Sequence, residues 1–492
     1  MTSHLPVLPV LIPLAGAPLC VLLRSRTAAW LLFLLASAGA LACAVLLAVR
    51  VAGGGALRYE IGGWPAPYGI EFVIAAFNTP VLLLVPAIAT VTAVYGRRSI
   101  GAEIDDGRAP LLYTCLCLTL AGLLGLSVTG DVFNAFVFLE ISSLSTYALV
   151  ALGRHRRALL AAFRYLVIGT VGATFVLIGI GLAYAVTGTL NMADLAQRLA
   201  GVQGNRALYA AVVFVLAGLA VKMAVFPLHA WLPGAYAEAP SAVSTFLSAT
   251  STKVAIYVFC RFAFTVFGAG LVFRTMPMET AGLVLACVAM LAGSAVACFQ
   301  TDLKYLLAWS SVAQIGYIVA GIGLATAAGV SAGYLHLINH AVIKSALFAT
   351  AGLLLLRLGS VRRAELAGLG RRMPWTFAAI VVAGLGLVGV PPTAGFVSKW
   401  ALVSALLGQG RWPVVVAVLV SSLLALVYVG RVVEAAWFRP ALPGSAGTPK
   451  PPPSMVAAIW VLVLASVYFG LDPALPSGLA GAAATALLGG RG

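Results

Sequence analysis

Charge is scarce in this sequence. Of 492 residues only 9% are charged while 62% are hydrophobic, and the mean hydropathy is +1.05. Soluble domains sit nearer half apolar and a quarter charged, so a water-soluble globular chain is excluded. Long polar stretches are also lacking. The longest connections, around residues 53–71, 97–109, 357–373 and 438–453, are too short for a sizeable soluble domain, and the last contains the Pro/Gly-rich loop "RPALPGSAGTPKPPP". The seven cysteines lie in or beside apolar runs, none forms a CxxC pair, and "CLC" at 115–117 has no neighbouring histidine. Metal or iron–sulfur ligation is therefore not indicated, and small apolar filler is the better reading. The first segment, "LPVLPVLIPLAGAPLCVLL", lacks the basic start and cleavage site of a signal peptide and reads as a retained span.

What is present is a series of apolar runs. A bilayer core of about 30 Å needs about 20 apolar residues per helix. Fourteen such segments start near residues 4, 28, 72, 110, 132, 157, 207, 240, 277, 304, 328, 374, 410 and 454. The expected fold is an all-α polytopic membrane protein. The net charge of +16 does not call for nucleic acid, because positive residues cluster in alternate loops. Numbered in order, the odd connections carry sixteen Lys or Arg and the even ones with the tail carry seven. By the positive-inside rule the odd connections are cytoplasmic and both termini face outward, as expected in a bacterial inner membrane.

The lysines break this pattern. Of six, Lys222, Lys253, Lys344 and Lys399 fall inside predicted spans, Lys304 sits at the mouth of another, and Lys450 is a loop residue. Arginine keeps its proton in proteins, whereas a buried lysine can lose it. A central lysine costs about 2.5–3.5 kcal/mol on insertion scales where leucine gains about half a kcal/mol, so four forgo on the order of 12–16 kcal/mol. Snorkelling or structural ion pairing is the alternative. It accounts poorly for the set, since Glu140 is the only carboxylate squarely inside a span. One buried carboxylate with several buried amines suits a chain of proton-exchanging sites, in which Glu140 holds a nearby lysine protonated. In "GYLHLINHAVIKSALF", His336, His340 and Lys344 are spaced by four and share one helix face over about 12 Å. Histidine titrates near neutrality, which suits a relay. A zinc pair is the rival, but no HExxH glutamate is present and a lysine shares the face.

Two spans are interrupted. Pro227 is expected to break the seventh helix about five residues past Lys222, and Pro391 and Pro392 to break the twelfth, with Lys399 seven residues on. Inside a bilayer such breaks survive only where protein or water satisfies the freed carbonyls. A separation of five spans inverts one unit relative to the other, the pattern of an inverted-repeat transporter core. Residues 1–109 then carry helices 1–3, 110–268 the first repeat (helices 4–8), 277–437 the second (helices 9–13), and 438–492 a loop and helix 14.

The stretches "FVFLEISSLSTYAL", "VKMAVFPLHAWLPGAYAEAPSAVS", "TDLKYLLAWSSVAQIGYI", "HLINHAVIKSALF" and "PPTAGFVSKW" resemble the antiporter-like subunits shared by Mrp-type multisubunit sodium/proton antiporters and respiratory complex I. "RYLVIGTVGATFVLIGIGLAYAVTGTLNMADLA" is similar to the D-type member of the Mrp set. The resemblance implies fourteen helices with inverted units at helices 4–8 and 9–13. It also implies a relay in which Glu140 and Lys222 form a pair, Lys253 is the central lysine, His340 and Lys344 belong to the eleventh helix, and Lys399 is the terminal lysine. One complex I branch carries glutamate at that last position. In "WPAPYGIEFVIAAFN" relatives often carry an aspartate where this chain has Ala75 or its neighbours, so no role for that carboxylate carries over. The function expected is a proton-translocating, non-enzymatic subunit of a sodium/proton antiporter, without cofactors. Its partners would be other membrane subunits, protons, sodium ions and the bilayer. The alternative is the pump arm of a complex I-like oxidoreductase or a membrane-bound hydrogenase.

Overall fold

The computed structural model describes residues 4–202, 204–440 and 450–489. Most of the Pro/Gly-rich loop, at 441–449, and Arg491 of the tail lie outside the described residues. In chain order the helices are α1 Leu8–Leu23, α2 Arg26–Gly54, α3 Thr79–Glu103, α4 Ala109–Val128, α5 Val132–Ala151, α6 Arg156–Thr187 and the short α7 Met192–Leu199. There follow α8 Arg206–Met223, α9 Leu232–Glu238, α10 Ser241–Ala249, α11 Ser251–Cys260, α12 Met278–Phe299, α13 Leu303–Gly323 and α14 Ala327–Leu358. The chain closes with α15 Pro374–Val388, α16 Ala394–Gly408, α17 Trp412–Phe438, α18 Pro453–Leu471 and α19 Ala474–Leu488. Between α11 and α12 the backbone makes two wider π-type turns, Arg261–Val266 and Gly270–Thr275.

Among the described residues, twelve helices are long and apolar enough to span a membrane, counting Ser241–Val266 as one, and α1, α15, α16 and α19 are shorter apolar helices. All fourteen predicted positions carry a helix. Three local expectations are corrected. The third span does not begin near residue 72, because Glu71–Ile74 form strand β2, paired antiparallel with β1 Leu57–Glu60. The first span starts at Leu8 rather than near residue 4. The last is two helices, parted at Asp472 and Pro473, since proline supplies no backbone donor to continue α18.

Burial separates the interior from the periphery. About nine-tenths of the most apolar window of α13 and of Ser241–Val266 is buried, against a third for α2 and α18. Chain faces left uncovered on α2 and α18 are apolar, as contact with lipid or another subunit requires. The long α14 lies inside, in contact with α10, α13, α15, α16, α18 and α19. Small residues allow close crossings. A Cβ on Gly218 of α8 would lie 2.4 Å from the Gly172 carbonyl oxygen of α6, so only glycine permits that approach. Loops pair within the alternating set the charge pattern defines: Phe72 bridges Thr129 and Asp131 bridges Asn191 among the even connections, while Asp302 bridges Arg362 among the odd ones.

Candidate functional site

The first break comes earlier than its proline. Helix α8 ends at Met223, and Ala224 turns into the left-handed region with φ 58° and ψ 41°. Pro227 thus lies inside the unwound stretch rather than at its start, and Lys222 occupies the last turn of α8. The Lys222 Nζ donates to Ser143 Oγ at 2.8 Å and to Tyr147 OH at 3.2 Å, and stands 3.6 Å from the Glu140 carboxylate. Glu140, Ser143 and Tyr147 share one face of α5 at i, i+3 and i+7 spacing. The amine's two hydrogen bonds are thus to hydroxyls, and the carboxylate is a near neighbour. The break is held by rings: Tyr147 meets Tyr165 edge-on at 4.6 Å, and Tyr165 stacks on Trp231 at 4.0 Å. The Trp231 indole N–H returns to the Val221 carbonyl at 2.9 Å.

A further interruption was not foreseen. Helix 8 is parted into α10 and α11 at Thr250, which has φ −122° and ψ −62°. No proline marks it; the only sequence signal is "LSATSTK", where hydroxyls compete with backbone hydrogen bonds. Lys253 Nζ folds back to donate to the Ser248 carbonyl at 2.5 Å, and it is fully buried. On α10, Ser241, Ser244, Thr245 and Ser248 are all buried, and their spacing draws a hydroxyl stripe along one side of the helix toward that amine. At the other end of the stripe a cavity of about 170 Å³ is lined by Glu103, Arg154, His155, Glu238 and Lys304. Glu103 accepts the Ser241 amide N–H at 2.9 Å, and Lys304 Nζ donates to the Ala239 carbonyl at 2.6 Å.

On α14 the expected face forms. The His336 and His340 rings are parallel with centroids 6.0 Å apart. His336 bonds Ser398 Oγ at 2.9 Å and Gln314 Oε1 at 2.8 Å through its two ring nitrogens. His340 is buried, and among the described residues neither of its ring nitrogens has a hydrogen-bond partner. Lys344 Nζ donates to the Leu307 carbonyl at 2.6 Å and to Ser310 Oγ. Ser310, Gln314 and Tyr317 repeat at i, i+4 and i+7 on α13, a polar face within "SSVAQIGY" that periodicity could have revealed.

The second break has a direct cause in the sequence. The carbonyls of Leu387 and Val388 would normally accept from residues four ahead, and those are Pro391 and Pro392, which carry no N–H. Lys399, reaching back from α16, supplies the donors: its Nζ lies 2.7 Å from the Leu387 oxygen, 3.1 Å from the Val388 oxygen and 2.9 Å from Ser422 Oγ on α17. The amine also sits 4.6 Å from the Tyr317 ring centroid, and Tyr317 lies 5.3 Å from the His336 ring. The lysine stem passes over Gly389, whose φ of +88° is one that side chains rarely adopt.

The residues therefore fall into three groups: Glu140 with Lys222; Lys253 beside the α10–α11 break; and His336, His340, Lys344 and Lys399 around α13 and α14. Among the described residues no direct hydrogen bond joins Lys222 to Lys253, or Lys253 to Lys344. His229, buried in the first break and packed between Phe226 at 4.8 Å and Trp309 at 5.2 Å, is a titratable group that sequence reasoning passed over.

Residues 129–425, which hold every one of these groups, match the profile described as NADH:quinone oxidoreductase/Mrp antiporter, transmembrane. The chain belongs to this family. Family members similar along most of the chain include "NADH-quinone oxidoreductase subunit N" of Desulforudis audaxviator, 42% identical over 96% of both chains. The D-type member of the Na(+)/H(+) antiporter of Alkalihalophilus pseudofirmus is 31% identical over 86% of this chain and 85% of its own. Among solved structures, a chain of the Mrp complex from Dietzia sp. superposes with a TM-score of 0.88 at 27% identity, covering 99% of this chain and 97% of that one.

Proposed function

We propose that this chain is the proton-translocating subunit of a multisubunit sodium/proton antiporter, working in a bacterial plasma membrane with both termini outward. Protons pass among Glu140, Lys222, Lys253, His336, His340, Lys344 and Lys399 through hydrated gaps. They reach Lys253 from the Glu103/Glu238/Lys304 cavity along the α10 hydroxyls. The observation that carries the reading is the set of buried amines, each hydrogen-bonded to side-chain hydroxyls or backbone carbonyls. An amine so placed keeps acceptors for its protonated form and can release the proton without leaving a buried fixed charge. Interrupted helices five spans apart, each with a lysine, support the division into repeats at 110–268 and 277–437. Each proton crossing the membrane potential is worth about 2.3 kcal/mol per 100 mV, enough to export a cation if the fluxes are coupled.

The 42% identity to a quinone oxidoreductase subunit favours a second reading, in which the same relay is the pump arm of a redox-driven complex. Lysine rather than glutamate at position 399 weighs against one branch of such subunits. Reconstitution of the whole complex in vesicles separates the two. Antiport predicts a proton flux on adding sodium that choline does not elicit, with no electron donor present. A flux that needs an electron donor and ignores sodium would overturn it.

A further inference from the structure

Of the buried amines, Lys399 is, among the described residues, the one whose three N–H donors each meet an oxygen at 3.1 Å or less: Leu387 O, Val388 O and Ser422 Oγ. Lys253 meets one carbonyl at 2.5 Å and a hydroxyl at 3.4 Å, and Lys222 meets two hydroxyls. The Lys399 oxygens are uncharged. Two of them are carbonyls at the C-terminal end of α15, where the helix dipole favours a cation. Pro391 and Pro392 deny these carbonyls their usual donors, so they are acceptors in search of a positive partner whenever the lysine is elsewhere. Tyr317 adds a ring face at 4.6 Å, and its hydroxyl stands 3.2 Å from Ser422 Oγ. Carbonyls exposed at the ends of interrupted membrane helices are a chemistry suited to alkali cations.

We infer that Leu387 O, Val388 O and Ser422 Oγ form a monovalent-cation site that the Lys399 ammonium occupies as a built-in competitor, and that Na⁺ takes its place when the amine leaves. One positive charge replaces another, so the exchange avoids burying a second cation. A proton leaving with the departing amine and a sodium arriving at the same oxygens is the exchange that antiport requires. The inference rests on the antiporter reading, but Na⁺ binding is measured without transport, so the two can fail separately.

The test uses the full chain in lipid nanodiscs, with Na⁺ against choline as the probe, and reads radioactive-sodium binding together with the melting temperature. Wild type is expected to bind Na⁺ poorly at neutral pH. Lys399→Ala and Lys399→Met, the second keeping the stem's length and apolar volume, gain a saturable Na⁺ site and an Na⁺-dependent rise in melting temperature. Adding Ser422→Ala to either weakens that binding about tenfold, the loss expected for one oxygen ligand. Variants that melt like wild type in choline and bind no Na⁺ would overturn the inference. So would Na⁺ binding equal in wild type and variants, or binding unchanged by Ser422→Ala. Proton flux lost in a wild-type chain that still shows this competition would instead overturn the relay and leave the site standing.

Discussion

Gly389 offers a close test of how the second break positions its amine. An alanine there places a Cβ 2.8 Å from Lys399 Cδ at a φ of +88°. The left-handed backbone costs a non-glycine residue about 1–2 kcal/mol. Pushing the lysine off its rotamer adds about 0.5–1.5 kcal/mol, and drawing Nζ from the Leu387 or Val388 oxygen adds about 1.5–3 kcal/mol for a hydrogen bond to a charged group. The stem will yield partly, so Gly389→Ala is expected to destabilise by about 2–4 kcal/mol when these effects combine incompletely. The assay is reversible unfolding in mixed micelles of Gly389→Ala, Lys399→Ala and the double variant. Because Lys399→Ala removes the atom that the new Cβ strikes, Gly389→Ala should cost less in that background, by about 1–2 kcal/mol of coupling. Strictly additive losses would refute the claim that Gly389 exists to pass the lysine stem.

Three further outcomes are expected. At 3.6 Å and an effective dielectric constant of 20, Glu140 and Lys222 attract by about 4–5 kcal/mol before solvent screening. Glu140→Gln should therefore lower cation-dependent proton flux at least about tenfold while the chain still inserts, and a wild-type rate would demote Glu140 to packing. Thr245→Val with Ser248→Ala interrupts the hydroxyl stripe of α10, and slower flux with unchanged melting is expected; unchanged flux would show that protons reach Lys253 elsewhere. Trp231→Phe keeps the stack on Tyr165 but removes the donor to Val221 O, at an expected cost of about 1 kcal/mol for a net hydrogen bond, read in the same unfolding assay. Val221 O also accepts the Ala224 N–H at 3.0 Å, and no loss would mean that this one donor satisfies the carbonyl and the indole bond adds nothing to stability.

The sequence made the spans and two of the interruptions readable because bilayer physics imposes them: long apolar runs, and prolines that remove specific donors. Lys222, Lys253, Lys344 and Lys399 stood out because charge inside such runs is costly. The α10–α11 interruption was hidden because it depends on Thr250 backbone angles and on Lys253 folding back, with no proline to mark it. Partners such as Ser143 and Ser422 were not legible either, since hydroxyls are common in membrane helices and only tertiary packing selects which of them meet an amine. The division at Asp472 was open to view in "GLDPAL", yet the apolar residues on either side masked it as one helix.

The central claim is that these lysines work by losing and regaining protons. Arginine keeps the charge and cannot deprotonate, so Lys222→Arg and Lys399→Arg in the reconstituted complex test it most directly. The account predicts that each abolishes sodium-dependent proton flux while the complex still assembles. Wild-type flux in both would contradict it.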